Sequence, residues 1–233
     1  MPVLIAVAII IAVVLIIGWF QDRAIQARTQ QLQARAQKLG FRFSEKAEPQ
    51  LLHGVGRFLL FLQGRSGEIA NVMQGERTTP AGQVEVALFE YAFTLPVGRY
   101  TRSWLQTVVR LSSEELSLPA FNIIPELIFD QMVERTSDQE TRERLLGTAD
   151  LRFREHPTFS KWFHVQGPDR SRVRALFTEQ LIDFYNQHKV LCTEGSQQEL
   201  LFYRFDERLD PEEIEAFLDT TLQAFALYRA AEP

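Results

Sequence analysis

The residue types that most often carry chemistry in proteins, histidine and cysteine, are few and scattered in this sequence. The chain holds four histidines and one cysteine, with no CxxC or HExxH pattern that would place metal ligands at short spacing. His188 and Cys192 lie four residues apart, but they straddle a predicted helix end and strand start. We interpret Cys192 as a buried structural residue, because a reactive thiol needs an accessible, electropositive site. We interpret His164 as a strand histidine, exposed or with its hydrogen bonds satisfied, rather than a metal ligand.

The patterns of nucleotide-binding and hydrolytic enzymes are also missing from the sequence. Gly54-Val55-Gly56 lacks a third glycine and a following helix, and neither GxxxxGK[ST] nor GxSxG occurs. Glu114 and Glu115 are adjacent, so on a strand they would point to opposite faces and could not act as a pair. The sequence therefore predicts no catalytic, cofactor-binding or metal-binding residue, and it favours a protein that is not an enzyme without excluding one.

One basic cluster is a candidate binding site for an anionic group. Arg170, Arg172 and Arg174 crowd the start of a predicted helix, where the helix dipole disfavours positive charge. Arg170 and Arg174 share a helix face and would contact a lipid headgroup or an acidic partner. The alternative is a solvated face whose arginines pair with Asp169 or Glu179.

The N-terminal residues form a long apolar run that predicts a single transmembrane helix over residues 3–20. Val3–Ile17 contains no polar residue, and eighteen residues of helix span roughly 27 Å, close to a hydrocarbon core of ~30 Å. Trp19, Phe20 and Arg23 follow where aromatic and basic side chains favour the membrane interface. A cleaved signal peptide would carry basic residues before the run and small residues at a cleavage site after it. A buried globular helix would rarely lack a polar residue for so long.

Charge predicts the orientation of this helix and argues against nucleic acid as a partner. Residues 21–46 hold two acidic residues against six basic ones: Arg23, Arg28, Arg35, Lys38, Arg42 and Lys46. The positive-inside rule then places the C-terminal domain in the cytoplasm, attached to the cell (inner) membrane, with the basic stretch beside anionic lipids. Because the chain carries −5 overall, residues 47–233 carry −9, whereas nucleic-acid binding needs concentrated positive charge.

Residues 21–40 predict a short helical stalk. They contain no Gly or Pro before Gly40, and Ile25, Leu32 and Leu39 recur every seven residues. This spacing fits a parallel coiled coil through which the protein would bind another copy of itself or another protein. Two alternatives are a membrane helix that simply continues, and a helix that lies against its own domain. Gly40 is the predicted helix end.

Residues 41–233 predict one α+β globular domain, an antiparallel sheet with helices packed on one face. Short strands joined by turns indicate a meander before residue 125, and the apolar run Phe58–Leu62 is one of its expected strands. In residues 84–93 the alternation changes phase, which indicates either a bulge or a strand buried on both faces. Helices are expected over about 169–186 and from Asp210 onward, where Asp210-Pro211-Glu212-Glu213 forms a capping sequence.

The segment 151–181 resembles a family of uncharacterised bacterial membrane-anchored proteins. The matching residues include His156-Pro157, Phe159-Ser160, Gly167 and Leu176-Phe177-Thr178. The resemblance implies a bacterial source and a single N-terminal transmembrane helix before an α+β cytoplasmic domain, but no activity and no functional residues.

These patterns together predict a membrane-tethered cytoplasmic domain that acts as a protein-interaction or scaffold module. The bilayer would be contacted through residues 3–20, and no cofactor is expected. The alternative is a membrane-associated enzyme or small-ligand-binding domain whose polar site assembles from residues far apart in the sequence.

Overall fold

The computed structural model describes residues 2–52, 55–97, 99–135 and 150–231. In these residues the helices are α1 (Pro2–Lys38), α2 (Pro49–Leu52), α3 (Leu59–Leu62), α4 (Glu126–Arg135), α5 (Pro157–Trp162), α6 (Arg170–Leu176), α7 (Glu179–Gln187) and α8 (Ile214–Ala231), with a 3-10 turn at Val55–Arg57. The strands are β1 (Arg42–Lys46), β2 (Arg65–Thr79), β3 (Gly82–Val97), β4 (Tyr100–Ser112), β5 (Leu118–Pro125), β6 (Phe163–Gln166), β7 (Leu191–Gln197) and β8 (Glu199–Arg204). The polar stretch 136–149 lies outside the described residues.

The strands form one eight-stranded sheet in the order β1-β2-β3-β4-β8-β7-β5-β6. All neighbouring strands are antiparallel, and β3 pairs with β4 without interruption from Glu85 opposite Ser112 to Val97 opposite Tyr100. The predicted antiparallel sheet and α+β class are therefore confirmed.

Helices cover both faces of this sheet, so the prediction that they pack on one face is wrong. One apolar cluster joins α1 and α5–α8 to side chains such as Leu88 and Phe202. The other joins α2, α3 and α4 to the opposite side chains of the same strands, such as Phe89 and Tyr203. The phase change in β3 has the same cause, because residues 86–91 are all buried and the strand has no bulge against β4. Side chains that alternate between two apolar layers leave no polar face to alternate with.

One long-range and one local set of hydrogen bonds explain two local predictions that are wrong. Phe58–Leu62 contains a helix rather than a strand, because the carboxylate of Glu194 accepts the backbone N–H groups of Leu59 and Leu60 at the start of α3. The helix expected over 169–186 is two helices, since the side chain of Thr178 caps a new one by accepting from the N–H of Leu181.

The capping prediction before α8 is partly confirmed. A carboxylate oxygen of Glu213 accepts the backbone N–H of Asp210 at 2.9 Å, as a capping box requires. The regular helix nevertheless begins at Ile214, and residues 211–213 form a turn.

Residues of the predicted membrane segment and stalk belong to one continuous helix, α1. It ends before Gly40, whose φ of 69° lies in the left-handed region that glycine adopts readily. Among the described residues, no helix is long and apolar enough to cross a membrane.

Candidate functional site

The C-terminal part of α1 packs against the domain's own sheet. Leu32 and Ala36 are buried, and Leu39 contacts the same apolar cluster. Ile25 remains exposed. For the predicted stalk, residues 21–40, the alternative of a helix that lies against its own domain matches this packing. Self-association through residues 21–40 stays a prediction.

A buried polar network, which we call the helix junction, fixes α1 to strands β2 and β3. It consists of Arg28, Asn71 and Glu90. The Arg28 Nε lies 2.7 Å from Glu90 Oε1, and the other carboxylate oxygen accepts from Asn71 Nδ2 at 2.7 Å. Arg28 also donates to the carbonyl oxygen of Leu209 at 2.6 Å. The Arg28 and Glu90 side chains are 11% and 8% exposed, so removal of Glu90 would leave the buried Arg28 without its carboxylate. Removal of Arg28 would leave Glu90 with the longer, more exposed contact to Arg208, whose Nε lies 3.7 Å from Oε1.

The backbone of β2 is distorted where it contributes to the helix junction. Asn71 has a φ of 51°, and the pairing of β2 with β3 shifts register between Ala70 and Met73. Asparagine tolerates this left-handed conformation better than most residues do. The bulge brings the amide within reach of Glu90, and the hydroxyl of Thr29 on α1 donates to Asn71 Oδ1 at 3.1 Å.

On the opposite face of the sheet, the buried carboxyl of Glu194 lies in a small cleft. This Glu194 cleft has a volume of about 200 Å³, and its lining includes Arg57, Phe58, Asn122 and Gly195. Besides the two N–H groups of α3, the carboxylate accepts the hydroxyl of Tyr203 at 2.9 Å. Burial raises the pKa of Glu194 to about 7, against the lowering effect of these hydrogen bonds. A carboxyl group that titrates near neutrality inside a cleft is a recognised sign of a functional group.

A second carboxylate on this face holds the segment that contains α2 and α3. Glu199 pairs with Arg57 and Arg110, and Arg110 donates onward to the carbonyl oxygen of Leu51 at 3.1 Å. Arg57 and the carbonyl oxygen of Leu51, both in this segment, are therefore bound to the sheet through Glu199 and Arg110.

His164 links α4 to the edge strand β6. The ring of Phe129 stacks on the imidazole at 3.9 Å, Glu126 Oε2 lies 2.9 Å from Nε2, and Asp150 contacts Nδ1. Burial alone would raise the pKa of Asp150, but His164, Gln166 and the charge of Arg152 lower it overall. His164 therefore lies on a strand with an acidic group at each ring nitrogen, although Nε2 makes no hydrogen bond to the described residues. That it is not a metal ligand stays a prediction.

Cys192 is buried, as the sequence predicts, and His188 lies at the end of a helix. Burial raises the pKa of the Cys192 thiol, with a further contribution from Glu194. His188 ends α7, where its ring packs on Phe184. Within the described ranges, no group of three or more His, Cys, Asp or Glu residues is arranged to hold a metal ion.

The residues predicted to contact anions or the membrane interface lie on different elements. Arg170 donates to the carbonyl oxygen of Asp150 at 3.1 Å, and Arg174 donates to that of Arg152 at 2.8 Å. On α1, the Arg23 guanidinium lies 4.3 Å from the ring of Trp19, and Phe20 packs edge-on against that ring. The anionic contact and the interface contacts stay predictions.

The sequence reasoning missed the buried ionisable groups of the helix junction and the Glu194 cleft. The available signal was an acidic residue surrounded by apolar ones, as in Phe89-Glu90-Tyr91, because such a residue is buried only with partners. The partners themselves could not be read, since Arg28 is 62 positions from Glu90 and Leu59 is 135 positions from Glu194.

Comparison with known proteins gives a distant structural similarity. No family model matches the chain, and no curated protein matches it. A similar solved structure is the crystal structure of the mycobacterial trehalose monomycolate transport factor A, TtfA, with a TM-score of 0.52 and 12% sequence identity over 88% of this chain and 96% of that one. At this identity the similarity shows a shared fold alone. The resemblance to uncharacterised membrane-anchored proteins stays a prediction.

Proposed function

We propose that this chain is a membrane-tethered interaction module, a domain without catalytic activity that holds a partner protein at the membrane. The observation that carries the proposal is the division of α1 into two unlike parts. Leu32 and Ala36 are 1% and 0% exposed in the core of the domain, whereas Leu15, Trp19 and Phe20 are 67%, 51% and 62% exposed. Apolar side chains exposed together on one helix are typical of a membrane or protein contact site.

The way α1 joins the domain supports a scaffold role. A flexible linker would let the domain rotate freely relative to its tether. Here the helix junction and the packed Leu32 make the tether part of the core. A domain held in one orientation can present the same surface to a partner each time.

The structure lends no support to a membrane-crossing helix, so that part of the proposal rests on the sequence. Val3–Ile17 has no polar residue, and the basic excess of residues 21–46 favours a cytoplasmic location for the domain that this stretch precedes. We include a role as an accessory factor in transport, because the fold is shared with TtfA, which is named as a transport factor.

Membrane extraction tests the tether. We expect the full chain to stay in the membrane pellet after alkaline carbonate and to require detergent for release. Ile10→Arg with Val13→Arg should move it to the soluble fraction, because charged residues are costly in the centre of a bilayer. The matched control, Gln30→Arg with Gln33→Arg, adds the same charge at exposed positions of α1 and should change nothing. Release of the unaltered chain by carbonate would overturn the tether.

Reporter fusions and detergent purification test the remaining parts. A cytoplasm-active reporter fused after Pro233 should be active and an export-active one inactive. We expect the purified chain to retain a membrane or cytoplasmic protein partner at constant stoichiometry through size-exclusion chromatography. A chain that elutes alone and turns over a small molecule would favour the enzyme alternative.

The Glu194 cleft is the observation that favours a small-ligand-binding function instead. Asn122 Oδ1 is buried and has no hydrogen-bond partner within the described part of the chain, beside a carboxyl group whose pKa is raised to about 7. Both groups accept hydrogen bonds when Glu194 is ionised, so a ligand would offer N–H or O–H donors. Ligand-observed NMR with small amines and amides tests this: binding that Glu194→Gln abolishes would support it, and equal binding by both chains would not.

A further inference from the structure

The hairpin formed by β3 and β4 projects beyond the rest of the sheet. β2 pairs with β3 only as far as Arg65 opposite Thr94, and β8 pairs with β4 only as far as Tyr203 opposite Val108. The β3–β4 ladder continues to Val97 opposite Tyr100. Its far end is therefore a two-stranded arm, and the residues that open β4 are exposed, with Tyr100 82% exposed.

Two contacts fix the direction of α1 relative to this arm. Arg28 meets Glu90 on β3 and Leu39 accepts from Arg77 on β2 at 2.6 Å, so α1 runs from the level of Glu90 toward the β2–β3 turn. Followed in the other direction, from Arg28 toward the N-terminus, the helix points to the same end of the domain as the arm.

The arm is long enough to reach the apolar part of α1. Seven strand residues from Glu90 to Val97 span about 23 Å, and eight helix residues from Arg28 back to Phe20 span about 12 Å. At any inclination of the strands to the helix axis up to about 60°, this length rises at least about 12 Å along the axis. Within that range the end of the arm reaches the level of Phe20 or lies beyond it.

We propose that Arg99, Tyr100 and Arg102, which we call the hairpin tip, form a second contact with an anionic lipid bilayer. The proposal rests on the membrane tether proposed above. A tyrosine ring is suited to the headgroup region, and guanidinium groups bind phosphate. Arg102 donates to Asp206 at 2.9 Å and stacks on Trp104 at 4.1 Å, yet its side chain stays half exposed. A guanidinium has five N–H donors, so donors remain for a headgroup.

The net charge of the domain explains why a basic contact with the membrane would matter. Residues 47–233 carry −9, so an anionic bilayer repels most of the domain. A basic, aromatic tip on the arm beside the tether is attracted to that surface. The domain would then contact the membrane at two places, α1 and the hairpin tip, and its acidic surface would face away from the lipid.

Site-directed fluorescence tests the contact in the full chain. Thr101→Cys places a thiol at the tip and leaves Tyr100 in place, while the buried Cys192 resists labelling. The labelled chain is reconstituted in phosphatidylcholine vesicles with about one quarter phosphatidylglycerol, an anionic surface, and quenched with lipids that carry a nitroxide at the headgroup. We expect a blue shift and strong quenching, both lost when Arg99→Glu and Tyr100→Ala are added. A label at Glu114→Cys, an exposed turn position at the opposite end of β4, should stay unquenched.

The outcomes separate this contact from the tether. If the chain stays in the vesicles after carbonate but its tip label is no more quenched than the Glu114→Cys label, the hairpin contact is overturned. The tether is not affected by that result. Chains released by carbonate would overturn the tether and, with it, the contact.

Discussion

The two faces of the sheet each bury a glutamate that fixes a helical segment, but they do so with different partners. On one face, Glu90 binds the guanidinium of Arg28 and holds α1. On the other, Glu194 binds two backbone N–H groups and a tyrosine hydroxyl and holds α3. A carboxylate that meets a cation is compensated in charge, whereas one that meets only neutral donors carries the full cost of burial. The contact of α3 should therefore change in strength with pH near neutrality, where Glu194 titrates.

Removal of the cation that pairs with Glu90 should cost the protein more stability than titration of Glu194. We expect Arg28→Met to lower the free energy of unfolding by up to about 3–5 kcal/mol, the usual cost of one partner lost from a buried ion pair; Arg208, 3.7 Å from Glu90, reduces this cost to the extent that it replaces Arg28. Urea unfolding of the full chain in detergent micelles measures it. Arg23→Met is the matched control, because Arg23 is an exposed arginine of the same helix; it should change stability by no more than about 0.5 kcal/mol. Equal effects of the two substitutions would contradict a structural role for the helix junction.

The titration of Glu194 should appear as a pH dependence of stability. Its pKa is raised in the folded protein to about 7 from an ordinary 4.5, so the folded state holds the proton more tightly. Stability from this group is fully present below pH 4.5 and is lost as the pH rises through 7. Between pH 5 and pH 9 we expect the wild type to lose about 3 kcal/mol relative to Glu194→Gln, from a shift of this size. Glu114→Gln, at an exposed position, should follow the wild type at every pH. Parallel curves for the wild type and Glu194→Gln would show that Glu194 titrates normally.

The bulge at Asn71 allows the side chain and the backbone to be separated. Asn71→Ala removes the hydrogen bond to Glu90 and places alanine at a φ of 51°, which should cost about 2 kcal/mol or more. Asn71→Gly removes the same hydrogen bond, but glycine adopts this positive φ without strain, so the substitution should cost about 1 kcal/mol less. Thermal unfolding of the two variants side by side measures the difference. If glycine were no better than alanine, backbone conformation would play no part in the helix junction.

The elements predicted well from the sequence are those that local information determines. Alternation and turns identify β4 and β5 to within a residue, and Gly40 marks the end of α1. The break at Thr178 is an error of local reading, since its cap lies three residues away. Other errors lie where a distant group decides the local structure. The run Phe58–Leu62 has strand composition, yet it contains a helix because Glu194 satisfies its N–H groups. The same limit hid the helix junction, since nothing near Arg28 in the sequence indicates Glu90.

The smallest effect is expected from the arginines that the sequence marked as an anion site. Arg170 and Arg174 are exposed and donate to the backbone of residues 150–152, so Arg170→Ala with Arg174→Ala should lower stability by less than about 1 kcal/mol. If these arginines also contact anionic lipid, a chain that begins at Gln21 should bind phosphatidylglycerol vesicles more weakly with both substitutions. The control is Arg154→Ala with Lys161→Ala, which removes the same charge at other exposed positions. Equal weakening in the two double variants would indicate general attraction of positive charge, and no weakening in either would limit Arg170 and Arg174 to holding the segment that covers the edge of β6.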